Sequence, residues 1–103
     1  MSRYVPAFEK ETLAEGSMRR VMLEGNELVV IRMNDTFYAL EDRCSHEDFP
    51  LSEGWIDDGC IFCSMHGAKF DIPTGEYKSP PAFENVRSYP VRIQDGRVEI
   101  DLE

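Results

Sequence analysis

Cys44-Ser45-His46, followed after 16 intervening residues by Cys63-Ser64-Met65-His66, is the stretch on which the reading of this chain turns. The two pairs have the forms C-x-H and C-x-x-H. They take both histidines of the chain and two of its three cysteines. Each pair lies among turn signals: Gly54, Asp58-Gly59, Gly67, Pro73-Thr74-Gly75 and Pro80-Pro81. Short strands folded antiparallel between the pairs would set the two loops face to face. Two soft thiolates and two imidazoles would then converge on one point.

Two kinds of centre answer to that donor set. Structural zinc usually draws its ligands in like pairs, C-x₂₋₄-C and then H-x₃₋₅-H. Here each loop supplies one thiolate and one imidazole, which suits a binuclear iron–sulfur cluster with both thiolates on one iron and both imidazoles on the other. The interleaving favours the cluster. Zinc stays open as the alternative, and it would give a colourless binding module.

Outside this segment the chain reads as β-structure. Met18–Leu23 is a strand, Gly25-Asn26 a two-residue turn, and residues 27–33 a second strand carrying the apolar run Leu28-Val29-Val30-Ile31. Asn34-Asp35 turns the chain into residues 36–40. Near the end, Tyr89, Val91 and Ile93 alternate with polar residues. Asp95-Gly96 reverses the chain, and Val98, Ile100 and Leu102 alternate again, as expected of two half-buried antiparallel strands. Inside the segment, residues 55–57, 60–63 and 68–71 read as short strands. Helix signals amount to one turn capped by Thr12 through Glu15 and another over residues 82–85. The expected fold is all-β: a single domain over residues 1–103, a small antiparallel sandwich or partly open barrel, with a cluster-binding segment at about 42–82 inserted into it.

The bulk composition is compatible with that fold and narrows the function. Of 103 residues, 42% are hydrophobic and 30% charged, as in ordinary globular domains. The net charge of −9, from 20 acidic and 11 basic residues, disfavours nucleic acid and anionic membranes; it suits a partner with a basic docking patch, or serves only to keep the protein in solution, the reading that charge alone favours. No apolar run approaches the length of about 18 residues that spans a bilayer. Met1-Ser2-Arg3-Tyr4-Val5-Pro6 lacks the apolar stretch of an export signal. An odd cysteine count argues against a disulfide framework, and the expected location is cytoplasmic.

With these residues in view, the chain resembles the Rieske [2Fe–2S] proteins, and within them the Rieske-type ferredoxins of bacterial aromatic-ring dioxygenase systems. Beyond the two ligand pairs, the match continues through Gly67-Ala68-Lys69-Phe70-Asp71. Leu51-Ser52-Glu53-Gly54, Thr74-Gly75 and Ser79-Pro80-Pro81 also match, the last as a proline loop. The resemblance implies one [2Fe–2S] cluster, with Cys44 and Cys63 on the inner iron and His46 and His66 on the outer, more exposed iron. Pro80 and Pro81 would cover it from a third side. It also implies a one-electron carrier, itself not an enzyme, that takes electrons from a flavin-containing reductase and delivers them to a terminal oxygenase or another redox enzyme. A monomer is the default expectation, which no residue pattern sets. The rival assignment is a small Rieske-fold subunit of an assimilatory nitrite reductase or another redox complex. An oxygenase subunit is excluded, because a mononuclear 2-His-1-carboxylate site needs histidines that the cluster has already taken.

The departures from the resemblance are informative. The disulfide of high-potential Rieske proteins would fall at Phe49 and Met65, so it is absent. The serine and tyrosine hydroxyls aimed at the cluster in those proteins would fall at Ala68 and Phe70. Hydrogen bonds to cluster sulfur raise the potential, so their loss implies a low-potential centre. His46 and His66 would then keep their outer protons through neutrality. The remaining residues take plainer roles. Cys60 reads as a buried structural thiol and Trp55, Phe62 and Phe70 as packing around the loops. Glu47 and Asp48 read as a solvated loop face or a guide for a partner, and Lys69 as one half of a local ion pair.

Overall fold

Leu28, Val29, Val30 and Ile31 are all completely buried, and consecutive strand residues achieve this only when both faces of their sheet are covered. The computed structural model describes residues 2–44, 49–64, 67–79 and 84–103, and around that doubly covered strand they form three antiparallel sheets. The first sheet joins β1 (Tyr4–Glu9), β10 (Val91–Gln94) and β11 (Arg97–Asp101) in the order β1-β11-β10. The second runs β2-β3-β4-β9, from Met18–Leu23, Asn26–Met33, Thr36–Glu41 and Ser88–Tyr89. The third runs β5-β6-β7-β8, from Trp55–Asp57, Cys60–Phe62, Lys69–Asp71 and Tyr77–Ser79. Among the described residues there is no α-helix, only 3₁₀ turns at Lys10–Thr12 and Leu51–Glu53.

The first two sheets approach each other along β1 and β2 on one side and along β4 and β10 on the other. The result is a partly open barrel. Leu28 and Val30 face its interior with Phe37, Ala39, Val98 and Ile100. The opposite face of the second sheet presents Val29, Ile31 and Leu40 to the third sheet, where they pack with Leu51, Ile61, Phe70, Ile72 and Val86. β3 is therefore the wall between two cores. The third sheet is the expected insertion, and it rests on the outside of the barrel.

Several details differ from the sequence reading, each for a local reason. The first hairpin turns at Glu24-Gly25, one residue earlier than expected. Asn26 already pairs with Leu23 and donates its side-chain N–H to the Leu23 carbonyl at 3.1 Å. Glu24 and Gly25 have φ of 51° and 84°, the doubly left-handed geometry that suits the twist of a two-residue hairpin. Thr12 closes its turn instead of capping one, since its hydroxyl donates back to the Glu9 carbonyl at 2.7 Å. The stretch from Tyr89 to Ile93 is two strands. Pro90 lacks an N–H, Tyr89 pairs with Ala39 in the second sheet, and Val91 pairs with Ile100 in the first.

β11 is also less amphipathic than its alternation suggests. It is the central strand of its sheet, and Glu99 and Asp101 are buried along with the apolar residues. Arg92 Nε donates to Glu99 at 2.8 Å, and the Arg3 backbone N–H donates to Asp101 at 2.8 Å. The expected turn at 82–85 lies partly outside the described residues.

Candidate metal centre

Cys44 follows the end of β4, and Cys63 follows the end of β6. Each begins a loop closed in the same way. The Cys44 N–H donates to the Phe49 carbonyl at 2.8 Å, and the Cys63 N–H donates to the Ala68 carbonyl at 2.7 Å. Both bonds span five residues, so the two loops are matched in length. Cys44 is 1% exposed and Cys63 0%, and both belong to the apolar cluster between the second and third sheets. The fold thus places the two thiols that the sequence singled out in one buried cluster. His46 and His66 lie outside the described residues, as do Glu47, Asp48, Met65, Pro80 and Pro81.

Three features hold the loops to their supports. Gly54 ends the 3₁₀ turn on the return limb of the first loop, and a Cβ placed there would meet the Phe62 carbonyl oxygen at 1.7 Å. Only glycine lets this backbone pass so close to the residue that precedes Cys63. Asp42, with a completely buried side chain, accepts the Ser52 N–H and O–H, each at 2.7 Å. Gly75, at φ +79°, lies against the Val86 carbonyl, and its own carbonyl accepts the Val86 N–H at 2.9 Å. This contact ties the chain following the proline loop to the third sheet. The sequence marks Gly54 and Gly75 as turn signals and Ser52 only as a match to a pattern. Asp42 passed unnoticed, because a lone aspartate after a strand looks like a solvated residue.

The remaining candidates divide between core and surface. Phe70 and Ala68 are fully buried, and neither side chain carries a hydroxyl. Phe49 is partly buried against the same cluster. Trp55 stacks on Phe62, with ring centroids 5.2 Å apart and planes within 5°, yet it remains 47% exposed. It therefore forms a surface ledge beside the Cys63 loop and not part of the packed interior. Lys69 Nζ lies 5.6 Å from the centre of the Phe62 ring, a cation–π contact, and among the described residues it makes no ion pair. Cys60 is buried at 8% exposure, and burial pushes its thiol above the ordinary range, with Asp71 and Asp58 adding to the effect and Lys69 opposing it. An inert thiol is what that environment produces. None of the three cysteines is in a disulfide. No helix among the described residues is long and apolar enough to cross a membrane.

Comparison with known proteins places this arrangement. The Rieske [2Fe-2S] domain family matches residues 3–90. The ferredoxin subunit of anthranilate 1,2-dioxygenase from Burkholderia cepacia is 45% identical over 75 residues, covering 73% of this chain and 69% of that protein. The ferredoxin component of the naphthalene 1,2-dioxygenase system from Pseudomonas putida is 32% identical over 100 residues, 97% of this chain and 96% of its own. A chain in the solved complex of reduced oxygenase and oxidised ferredoxin of carbazole 1,9a-dioxygenase superposes with a TM-score of 0.91 at 34% identity, over 97% of this chain and 94% of that one.

The chain belongs to the Rieske [2Fe–2S] proteins, among the ferredoxin components of bacterial aromatic-ring-hydroxylating dioxygenase systems. It is an electron carrier, and its cofactor is a Rieske cluster. The described residues fit that group. Two soft sulfur donors are buried among aliphatic side chains that keep water away, on loops whose necks are closed by backbone hydrogen bonds.

Proposed function

We propose that Cys44 and Cys63 bind one iron of the cluster, that His46 and His66 bind the other, and that this chain relays single electrons from a flavin-containing reductase to a terminal oxygenase. The observation that carries the reading is the pair of matched loops, each opened by a buried cysteine and closed by its own N–H. When bound, the cluster supplies a reversible one-electron couple. The protein's part is to hold the thiolates in a dry apolar cluster and to keep the loop backbones fixed. Ala68 and Phe70 offer no hydroxyl, and a centre without those donors has a potential toward the low end of the Rieske range. The acidic surface, with its net charge of −9, suits short-lived docking on basic patches and speeds encounter at low salt. We place the carrier in the cytoplasm, as a monomer.

The test is an electron paramagnetic resonance spectrum of the dithionite-reduced protein. A rhombic signal whose average g lies below that of all-cysteine clusters is expected. Loss of that signal in His46→Cys or His66→Cys, with a shift toward an all-thiolate spectrum, is the matching result. A colourless protein that binds zinc but no iron after reconstitution would overturn the assignment.

A further inference from the structure

Asp42 is a buried carboxylate to which electron carriage, as described so far, gives no task. Burying a charge is costly unless it is hydrogen-bonded and paired. Here both carboxylate oxygens accept a hydrogen bond and a guanidinium stands close by. Oδ1 accepts the Ser52 N–H and Oδ2 the Ser52 O–H, each at 2.7 Å, and Arg20 Nε from β2 faces Oδ2 at 3.5 Å. Arg20 is itself held by Glu27 on β3, and the Asp42 backbone N–H donates to the Glu27 carbonyl at 3.0 Å.

What these contacts join is the neck of the Cys44 loop. Asp42 stands two residues before Cys44. Ser52 lies on the returning limb, next to Leu51, which is fully buried in the cluster shared by both cysteines. The Cys44 N–H to Phe49 carbonyl bond closes the loop from inside, and the Asp42–Ser52 contacts close it again at its base. A carboxylate suits this place because one side chain must accept two donors from a single residue and also meet a guanidinium. Adding an electron to the centre changes its charge and pulls on the surrounding dipoles. A loop clamped twice at its neck has few ways to follow.

We propose that Asp42 is a positioning residue for electron transfer, its carboxylate clasping Ser52 so that the loop carrying Cys44 keeps one geometry in both redox states. The proposal rests on the assignment of Cys44 as a cluster ligand.

The experiment compares the cluster-loaded parent with Asp42→Ala, Asp42→Asn and Ser52→Ala. Two quantities are read: hydrogen exchange of residues 49–54 by mass spectrometry, and the line widths of the reduced paramagnetic resonance spectrum. Losing a charge-assisted hydrogen bond should open the Ser52 amide about tenfold or more in Asp42→Ala. The same variant should broaden the spectrum, because loop geometry becomes heterogeneous. Asp42→Asn keeps one acceptor for the Ser52 N–H and should recover part of both effects. Line widths and exchange equal to the parent's in Asp42→Ala, with only a lower melting temperature, would overturn the proposal and leave Asp42 a purely structural residue. If Asp42→Ala does not fold, Ser52→Ala decides by line width alone: it deletes the O–H donor, keeps the N–H bond to Oδ1, and should broaden the spectrum, while a parent-like line width would overturn the proposal. A parent without the mixed-ligand signal overturns the ligand assignment and this proposal with it, whereas a normal parent with unchanged variants overturns the clasp alone.

Discussion

Replacing Gly54 by alanine should damage the protein more than any other single methyl group added at a glycine. The new Cβ would sit 1.7 Å from the Phe62 carbonyl oxygen, 2.9 Å from its carbon and 3.3 Å from the Leu51 carbonyl oxygen. Real Cβ atoms keep at least 3.0 Å from such neighbours, so two backbone segments must part by more than an ångström. Neither can yield freely. Phe62 is paired on both sides, to Trp55 and to Lys69, and Leu51 is anchored in the core. Overpacking of this kind costs about 3 kcal/mol or more. With a urea slope near 1.5 kcal/mol per molar, the unfolding midpoint should fall by about 2 M. Because the displaced strand leads into Cys63, cluster content should fall as well. Gly59→Ala is the control: at φ +75° with nothing within 4 Å, it carries only the left-handed backbone penalty of about 1 kcal/mol. Urea denaturation followed by circular dichroism, with iron assayed per protein, measures both variants. A Gly54→Ala protein within about 1 kcal/mol of the parent would refute the argument from close approach.

Three further outcomes are expected. Cys60→Ala should keep its iron and its spectrum at a cost of about 1 kcal/mol, whereas Cys44→Ala and Cys63→Ala should lose the cluster; iron assay and visible absorption distinguish them. Backbone N–H groups of Arg3 and Glu103 hold the Asp101 carboxyl below the ordinary carboxylate range, outweighing burial. A depressed pKa contributes stability above the ordinary range that is lost as pH falls through the folded value, so Asp101→Asn should flatten the acid limb of a urea-midpoint profile. Trp55→Ala should remove a stacked pair worth about 1 kcal/mol and, because Trp55 is half exposed, should leave cluster content unchanged.

How far the fold could be read in advance depended on where each strand sits. β3 and β4 declared themselves because buried strands need apolar residues, and Asn34-Asp35 and Asp95-Gly96 because tight hairpins need left-handed residues. β1 went unread: it is an edge strand with Pro6 inside it, and its register shifts between Pro6 and Phe8. β8, Tyr77-Lys78-Ser79, is another edge strand with no apolar pattern to announce it. The break at Pro90 was a tertiary event, a strand handed from one sheet to the next, which alternation alone does not reveal. At the site, the thiols were legible because cysteine beside histidine is rare chemistry. Asp42 was not, because its meaning comes from Ser52 and Arg20, 10 and 22 residues away in sequence.

The doubly buried β3 sets terms for anyone who would transplant the lobe built on the third sheet into another scaffold. Its core is roofed by Val29, Ile31 and Leu40, side chains that belong to the barrel. Moved alone, the lobe would arrive without a ceiling and with its cysteines open to water. A host would have to offer an antiparallel strand pair with β-branched or leucine side chains at matching positions, and a carboxylate at the exit of the second strand to receive Ser52. The unit that can be borrowed is therefore larger than the segment between the two Cys–His pairs, and its far boundary runs through the middle of a sheet.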